Sequence, residues 1–197
     1  MTTLELADSR TPSEINAIVS ELQATGTLQE LVDYTFNHPS RLIKPVIGYD
    51  ASAMALSFVP AAGEGPDGMR SVDDDIYTYH HLRWDLFERV ADSGVQVVSR
   101  YIVPSAHITI ARFITQDGFL REQPGSDGSR VDRERIKALV EKIEQINQKL
   151  KQYWPGQDEN ASSKGEWIVG QEKGLELCKG TSWYGKGKCV ILGKGFN

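Results

Sequence analysis

The sequence predicts an α+β fold, on three observations. Apolar residues recur at three- and four-residue steps in some segments and alternate in others, so helices and strands are both present. The strand-like runs fall in neighbouring pairs parted by short turns. No regular βαβ alternation links them, which argues against a parallel α/β sheet. At 197 residues, with no internal repeat and no clear boundary, residues 1–197 read as a single domain.

Thr11-Pro12-Ser13-Glu14 is a helix start: Thr11 can cap, Pro12 has the φ wanted at the first helical position, and Glu14 closes a capping box. Ile15, Ile18, Val19 and Leu22 then form one apolar face before Gly26. Leu28, Leu31 and Val32 predict a second short helix. Residues 42–49 and 52–59 predict a hairpin turning at Tyr49-Asp50-Ala51-Ser52, with Pro45 at a sheet edge or bulge. Residues 60–72, rich in glycine and proline, predict a loop. Asp73, Asp74 and Asp75 suit a helix N-terminus, and Ile76, Tyr79, Leu82, Leu86 and Val90 supply its buried stripe up to Gly94. Val95–Val103 and His107–Ile114 are β-rich, and 115–129 predict a loop. The longest helix spans 130–153, with Ile136, Leu139, Val140, Ile143, Ile146 and Leu150 on one face. Short strands follow near Trp167–Val169, Leu175–Cys178 and Cys189–Leu192.

Composition removes several classes. With 40% hydrophobic and 25% charged residues the chain can bury a core without metal or disulfide staples. No apolar run approaches the roughly 18 residues of a membrane span, and residues 1–20 lack the pattern of a signal peptide. A net charge of −5 excludes general binding to the phosphate backbone of duplex nucleic acid, but not a local site for one phosphate. Cys178 and Cys189, the two cysteines, lack metal spacing and read as reduced residues in neighbouring strands, pointing to a cytoplasmic protein. The sequence leaves the oligomeric state open.

The informative segment is His107-Ile108-Thr109-Ile110-Ala111-Arg112-Phe113. Alternation in a strand puts His107, Thr109 and Ala111 on one side and Ile108, Ile110 and Arg112 on the other. An imidazole and a hydroxyl about 7 Å apart suit one tetrahedral anion, the hydroxyl holding an oxygen while the imidazole exchanges a proton. By itself an H-x-T triplet is weak, because most such strands are ordinary half-exposed surfaces.

Residues 99–113, from Ser99-Arg100-Tyr101 through Pro104-Ser105-Ala106 to Phe113, resemble the second motif of the two-histidine (2H) phosphoesterases. The nearest likeness is to fungal proteins described as RNA ligase/cyclic nucleotide phosphodiesterase. It extends to Tyr79-His80-His81-Leu82-Arg83 and to Trp167-Ile168-Val169-Gly170 through Gly174, and so covers most of the chain. The resemblance implies a bilobal fold in which antiparallel sheets line a cleft with helices outside. It implies metal-free, cofactor-free cleavage of cyclic phosphate or 2′-linked nucleotide esters, the substrate being a nucleotide or an RNA-end cyclic phosphate. His107 would then be one acid/base, and Thr109 would bind a phosphate oxygen. Arg100 and Arg112 would be anion partners, with Arg112 turned away on the Ile108 face, and Tyr101 a packing residue able to stack a base.

The sequence departs from the family at its start. Met1-Thr2-Thr3-Leu4-Glu5 resembles the continuation of the first H-x-T motif, so Thr2 falls on the motif threonine while its histidine would precede Met1. On that reading the domain is N-terminally incomplete, Thr2 faces His107 from the opposite lobe, hydrolysis is severely impaired, and the chain start frays beside an unpaired sheet edge. A nucleotide-binding or interaction domain that keeps the fold without catalysis is the alternative. The other histidines do not repair the loss. His38 reads as a turn residue, and His80 and His81 as helix-packing residues without metal spacing. Gly180 to Gly187 imitates a P-loop but ends on Gly187 before a strand, and reads as a hairpin turn.

Overall fold

The computed structural model describes residues 1–64, 71–97, 106–122, 129–153, 166–181 and 187–196. Helix α1 (Pro12–Ala24) starts as predicted. The Thr11 hydroxyl accepts from the Glu14 N–H while the Glu14 carboxylate accepts from the Thr11 N–H, satisfying two backbone donors that no helical carbonyl reaches. Gly26, at φ 77°, then adopts the left-handed turn that opens α2 (Thr27–Asn37).

Strands β1 (Arg41–Tyr49) and β2 (Ala53–Pro60) form the predicted hairpin. The Asp50 carboxylate accepts from the N–H groups of Ser52 and Ala53 at 2.7 and 2.8 Å, fixing the turn. Pro45 sits in a bulge, where pairing jumps from Ile43–Val59 to Val46–Ser57. Lacking an N–H, it could not have continued the ladder.

Helix α3 (Tyr79–Asp92) corrects one expectation. Thr78 caps it, and the three aspartates lie in a preceding 3-10 turn, Val72–Asp75. Asp75 is drawn inward by Arg41, which separates it from the helix and leaves Ile76 64% exposed. The rest of the stripe, Tyr79, Leu82, Leu86 and Val90, is buried as expected.

Of the predicted strand at 95–103, residues 95–97 are irregular and 98–103 lie outside the described residues. Strand β3 (Ala106–Arg112) follows. The expected loop at 115–129 instead contains a 3-10 turn at Asp117–Phe119 and strand β4 (Leu120–Glu122), which pairs with β5 (Ser129–Val131). That pairing delays the long helix to α4 (Arg133–Tyr153), where the Asp132 carboxylate accepts from the N–H groups of Glu134 and Arg135. The tail supplies β6 (Trp167–Ile168), β7 (Glu176–Lys179) and β8 (Lys188–Leu192).

The molecule is mixed α+β: a four-stranded antiparallel sheet in the order β3-β2-β1-β6, with β4–β5 and β7–β8 as separate hairpins. Cross-strand partners share a face, so Leu42, Phe58, Ala106 and Trp167 lie together. They pack into the core with Leu22, Leu31, Tyr79, Leu82, Leu86 and Val90 from α1, α2 and α3. Past Ile43 the edge of β1 is bracketed by α4: Asn147 accepts from the Ile47 N–H and donates to the Ile47 carbonyl. Behind β6, Gly170 at φ 80° lies so close to Thr35 that any side chain there would overlap it.

Candidate functional site

The hairpin sorts its residues by size. On β2, Met54, Leu56, Phe58 and Pro60 share the core side, while Ala53, Ala55, Ser57 and Val59 share the other. His107 pairs with Ser57 and Thr109 with Ala55, so the imidazole and the hydroxyl stand on the side away from the helical core. There His107, Ser57 and Ala55 are half-buried and Thr109 is exposed. Ser57 brings a second hydroxyl beside the imidazole, because directly opposed residues hold their Cβ atoms about 4.5–5.5 Å apart. Ala53, Ala55 and, on β1, Gly48 contribute little bulk, so a ligand could approach the sheet backbone closely.

Arg112 requires a correction. Simple alternation assigns it to the Ile108 side, but the β2–β3 register shifts: Thr109 pairs with Ala55, then Ala111 pairs with Met54 and Arg112 with Ala53. One residue is absorbed in a bulge. Since Ala53 and Ala55 share a face, Arg112 stands on the side of His107 and Thr109, and Ala111 moves to the side of Ile108. The face therefore gathers an imidazole, two hydroxyls and a guanidinium, a set able to hold a phosphate's oxygens and exchange one proton. No residue of β3 marks its bulge as Pro45 marks that of β1, so the face that Arg112 takes was not predictable from the sequence. Ser57 was, from the small–large alternation of Ala53 to Pro60.

One end of the face is closed. Arg41, on the same side as Ile43, is buried and donates through its guanidinium to both oxygens of buried Asp75, to Glu166 and to the Glu64 carbonyl. Asp75 also accepts from the Gly63 N–H at 2.7 Å. With its donors committed to carboxylates, Arg41 holds the loop ends to the sheet rather than offering charge to a ligand.

No protein-family model, curated protein or solved structure matches this chain.

The remaining sequence candidates lie elsewhere or are not brought together. Residues 1–10 form neither helix nor strand, so Thr2 does not sit in a strand as the first-motif resemblance implies. It is exposed, and its carbonyl accepts from the Tyr79 hydroxyl at 3.3 Å. The Thr3 carbonyl accepts from Arg83 at 2.9 Å, and Met1, Leu4 and Leu6 pack on the core. The chain start is thus docked on α3 instead of fraying, because these apolar residues find the core surface. Arg100 and Tyr101 lie outside the described residues.

The other histidines serve α2 and α3. The His38 ring stacks on Tyr34 with centroids 4.4 Å apart and lies 5.4 Å from Tyr77. His81 receives the Thr78 N–H on Nδ1 at 3.1 Å, closing the helix cap, and His80 is exposed on α3. Beside them one oxygen of Asp85 accepts from both the Tyr34 and Tyr77 hydroxyls, at 2.8 and 2.7 Å. Burial and the neighbouring carboxylate push the Tyr77 phenol well above its ordinary value, so it stays a donor. Among the described residues no group of three or more His, Cys, Asp or Glu side chains could hold a metal ion, and no helix is long and apolar enough to cross a membrane.

Proposed function

We propose that this chain is a 2H-type phosphoesterase domain that cleaves cyclic phosphate or 2′-linked nucleotide esters by general acid–base chemistry at His107, with its turnover impaired. The observation that carries the reading is the sharing of one sheet face by His107, Ser57, Thr109 and Arg112. In this assignment His107 exchanges a proton with an ester oxygen, while Thr109, Ser57 and Arg112 hold non-bridging phosphate oxygens. The four-stranded sheet is one lobe. The N-terminal segment docks on α3 on the helical side of the sheet, so Thr2 is not part of this site. The substrate is a nucleotide or an RNA end, and no metal takes part in the chemistry.

Cleavage moves protons at two oxygens, and His38 and His81 are engaged in the α2–α3 contacts. A single acid/base leaves out a group that typically contributes about 10²–10⁴-fold. That observation favours the second reading, a nucleotide-binding domain that turns substrate over slowly or not at all. The test is incubation of the full chain with 2′,3′-cyclic nucleotides, with the His107→Ala variant in parallel. Turnover abolished by the substitution supports the enzyme. Binding without turnover, weakened by His107→Ala, supports the binding domain. Turnover and binding both indifferent to His107 overturn the site.

A further inference from the structure

Cys178 and Cys189 are direct partners in the β7–β8 ladder, both reduced and both exposed. Directly opposed residues of an antiparallel pair have Cα atoms about 4.5 or 5.5 Å apart, and both values lie within the range of about 4.4–6.8 Å that disulfides span. Their side chains leave the same face of the hairpin. Gly187 lies beside Cys178: a Cβ built there would come 3.5 Å from the Cys178 Cβ.

Charge and register add to this. One place further along, Lys179 pairs with Lys188. Like charges directly opposite each other weaken a ladder, and here the Lys179 ammonium donates instead to Asn16 on α1 at 2.8 Å. The pairing also slips between Leu177, opposite Ile191, and Cys178, opposite Cys189, so the cysteines stand beside a bulge that strengthens local twist.

We infer that Cys178 and Cys189 form a reversible dithiol–disulfide pair, a redox modification site that closes β7 to β8 and is oxidised by low-molecular-weight disulfides of the glutathione type. The Cys178 or Cys189 thiolate attacks one sulfur of the oxidant and expels the first glutathione thiolate, giving a mixed disulfide. The second cysteine's thiolate attacks the protein sulfur of that mixed disulfide and expels the second glutathione. Two protein thiols are oxidised, one disulfide is reduced to two thiols, and the two protein protons pass to solvent or to the departing thiolates.

These are the two cysteines of the sequence, so any intramolecular disulfide is this one. The full chain is equilibrated across a series of oxidised-to-reduced glutathione ratios, quenched in acid, alkylated with N-ethylmaleimide and weighed intact. The expected result is a single transition in which both alkylatable thiols vanish together, with no glutathione adduct and no dimer. Cys178→Ser and Cys189→Ser should each instead collect one glutathione adduct, since the mixed disulfide has no second thiol to resolve it. Wild-type protein that accumulates adducts or disulfide-linked dimers, or keeps both thiols at the most oxidising ratio, overturns the inference.

Discussion

Arg112 and His107 stand on the same face of the sheet although five places separate them in the sequence, an odd spacing that regular alternation sends to opposite faces. The slip between Thr109–Ala55 and Ala111–Met54 accounts for the difference. It takes up one residue of β3 while β2 runs on without interruption. Among the described residues β3 is an edge strand, with a ladder to keep on one side alone, and so tolerates such an insertion.

On the proposed reading, Arg112 contributes charge to phosphate binding. Replacing it with Gln should weaken binding of a 2′,3′-cyclic nucleotide about tenfold or more, the scale of losing a charge-assisted hydrogen bond. Lys149→Gln on α4, exposed and outside this face, is the control and should change nothing. Calorimetric titration measures both. Equal affinities for the two variants would remove Arg112 from the site.

The ion pair at the end of the same face should matter to stability. Arg41 and Asp75 are 5% and 6% exposed, and Asp75→Ala would leave the guanidinium buried with its main partner gone. A loss of roughly 3–5 kcal/mol is expected in urea unfolding. The double variant Arg41→Met, Asp75→Leu should recover part of it, since the buried guanidinium leaves together with its main carboxylate, while Glu166 and the Gly63 N–H each lose a partner. A single-variant loss below about 1 kcal/mol would show that water reaches the pair, as at an exposed ion pair.

Acid should loosen the α2–α3 contact. Burial pushes the Asp85 carboxyl up, but hydrogen bonds from Tyr77 and Tyr34 and the nearby charges of His38 and Arg89 hold it below its ordinary value. A carboxyl lowered on folding adds stability that is fully present above its unfolded value, about 3.9, and is lost as pH falls through the folded value. Asp85→Asn should therefore be less stable at neutral pH and show a shallower decline below about pH 4. Urea midpoints at neutral and acid pH read both effects. Parallel pH profiles for the two proteins would contradict the linkage.

Local chemistry made much of the architecture readable. Thr11, Pro12 and Glu14 carry their own helix start, and Asp50 carries its turn, because each satisfies backbone groups within three residues. Pro45 marked a bulge because it has no N–H to give. The stripe from Tyr79 to Val90 declared its buried face by its spacing alone. The His107–Thr109 pair was legible for the same reason, since strand alternation reaches no further than the next residue.

Tertiary structure decided the rest. Asp73 to Asp75 suited a helix N-terminus locally, yet Arg41, 34 places before Asp75, pulled the last of them inward and moved the helix start to Tyr79. The place of Arg112 depended on how β3 registers against β2, and that of Thr2 on a core surface built by α3. Spacing along one strand fixes which neighbours alternate. It carries no information about a slip in pairing with another strand, or about a charge that arrives from a distant part of the chain.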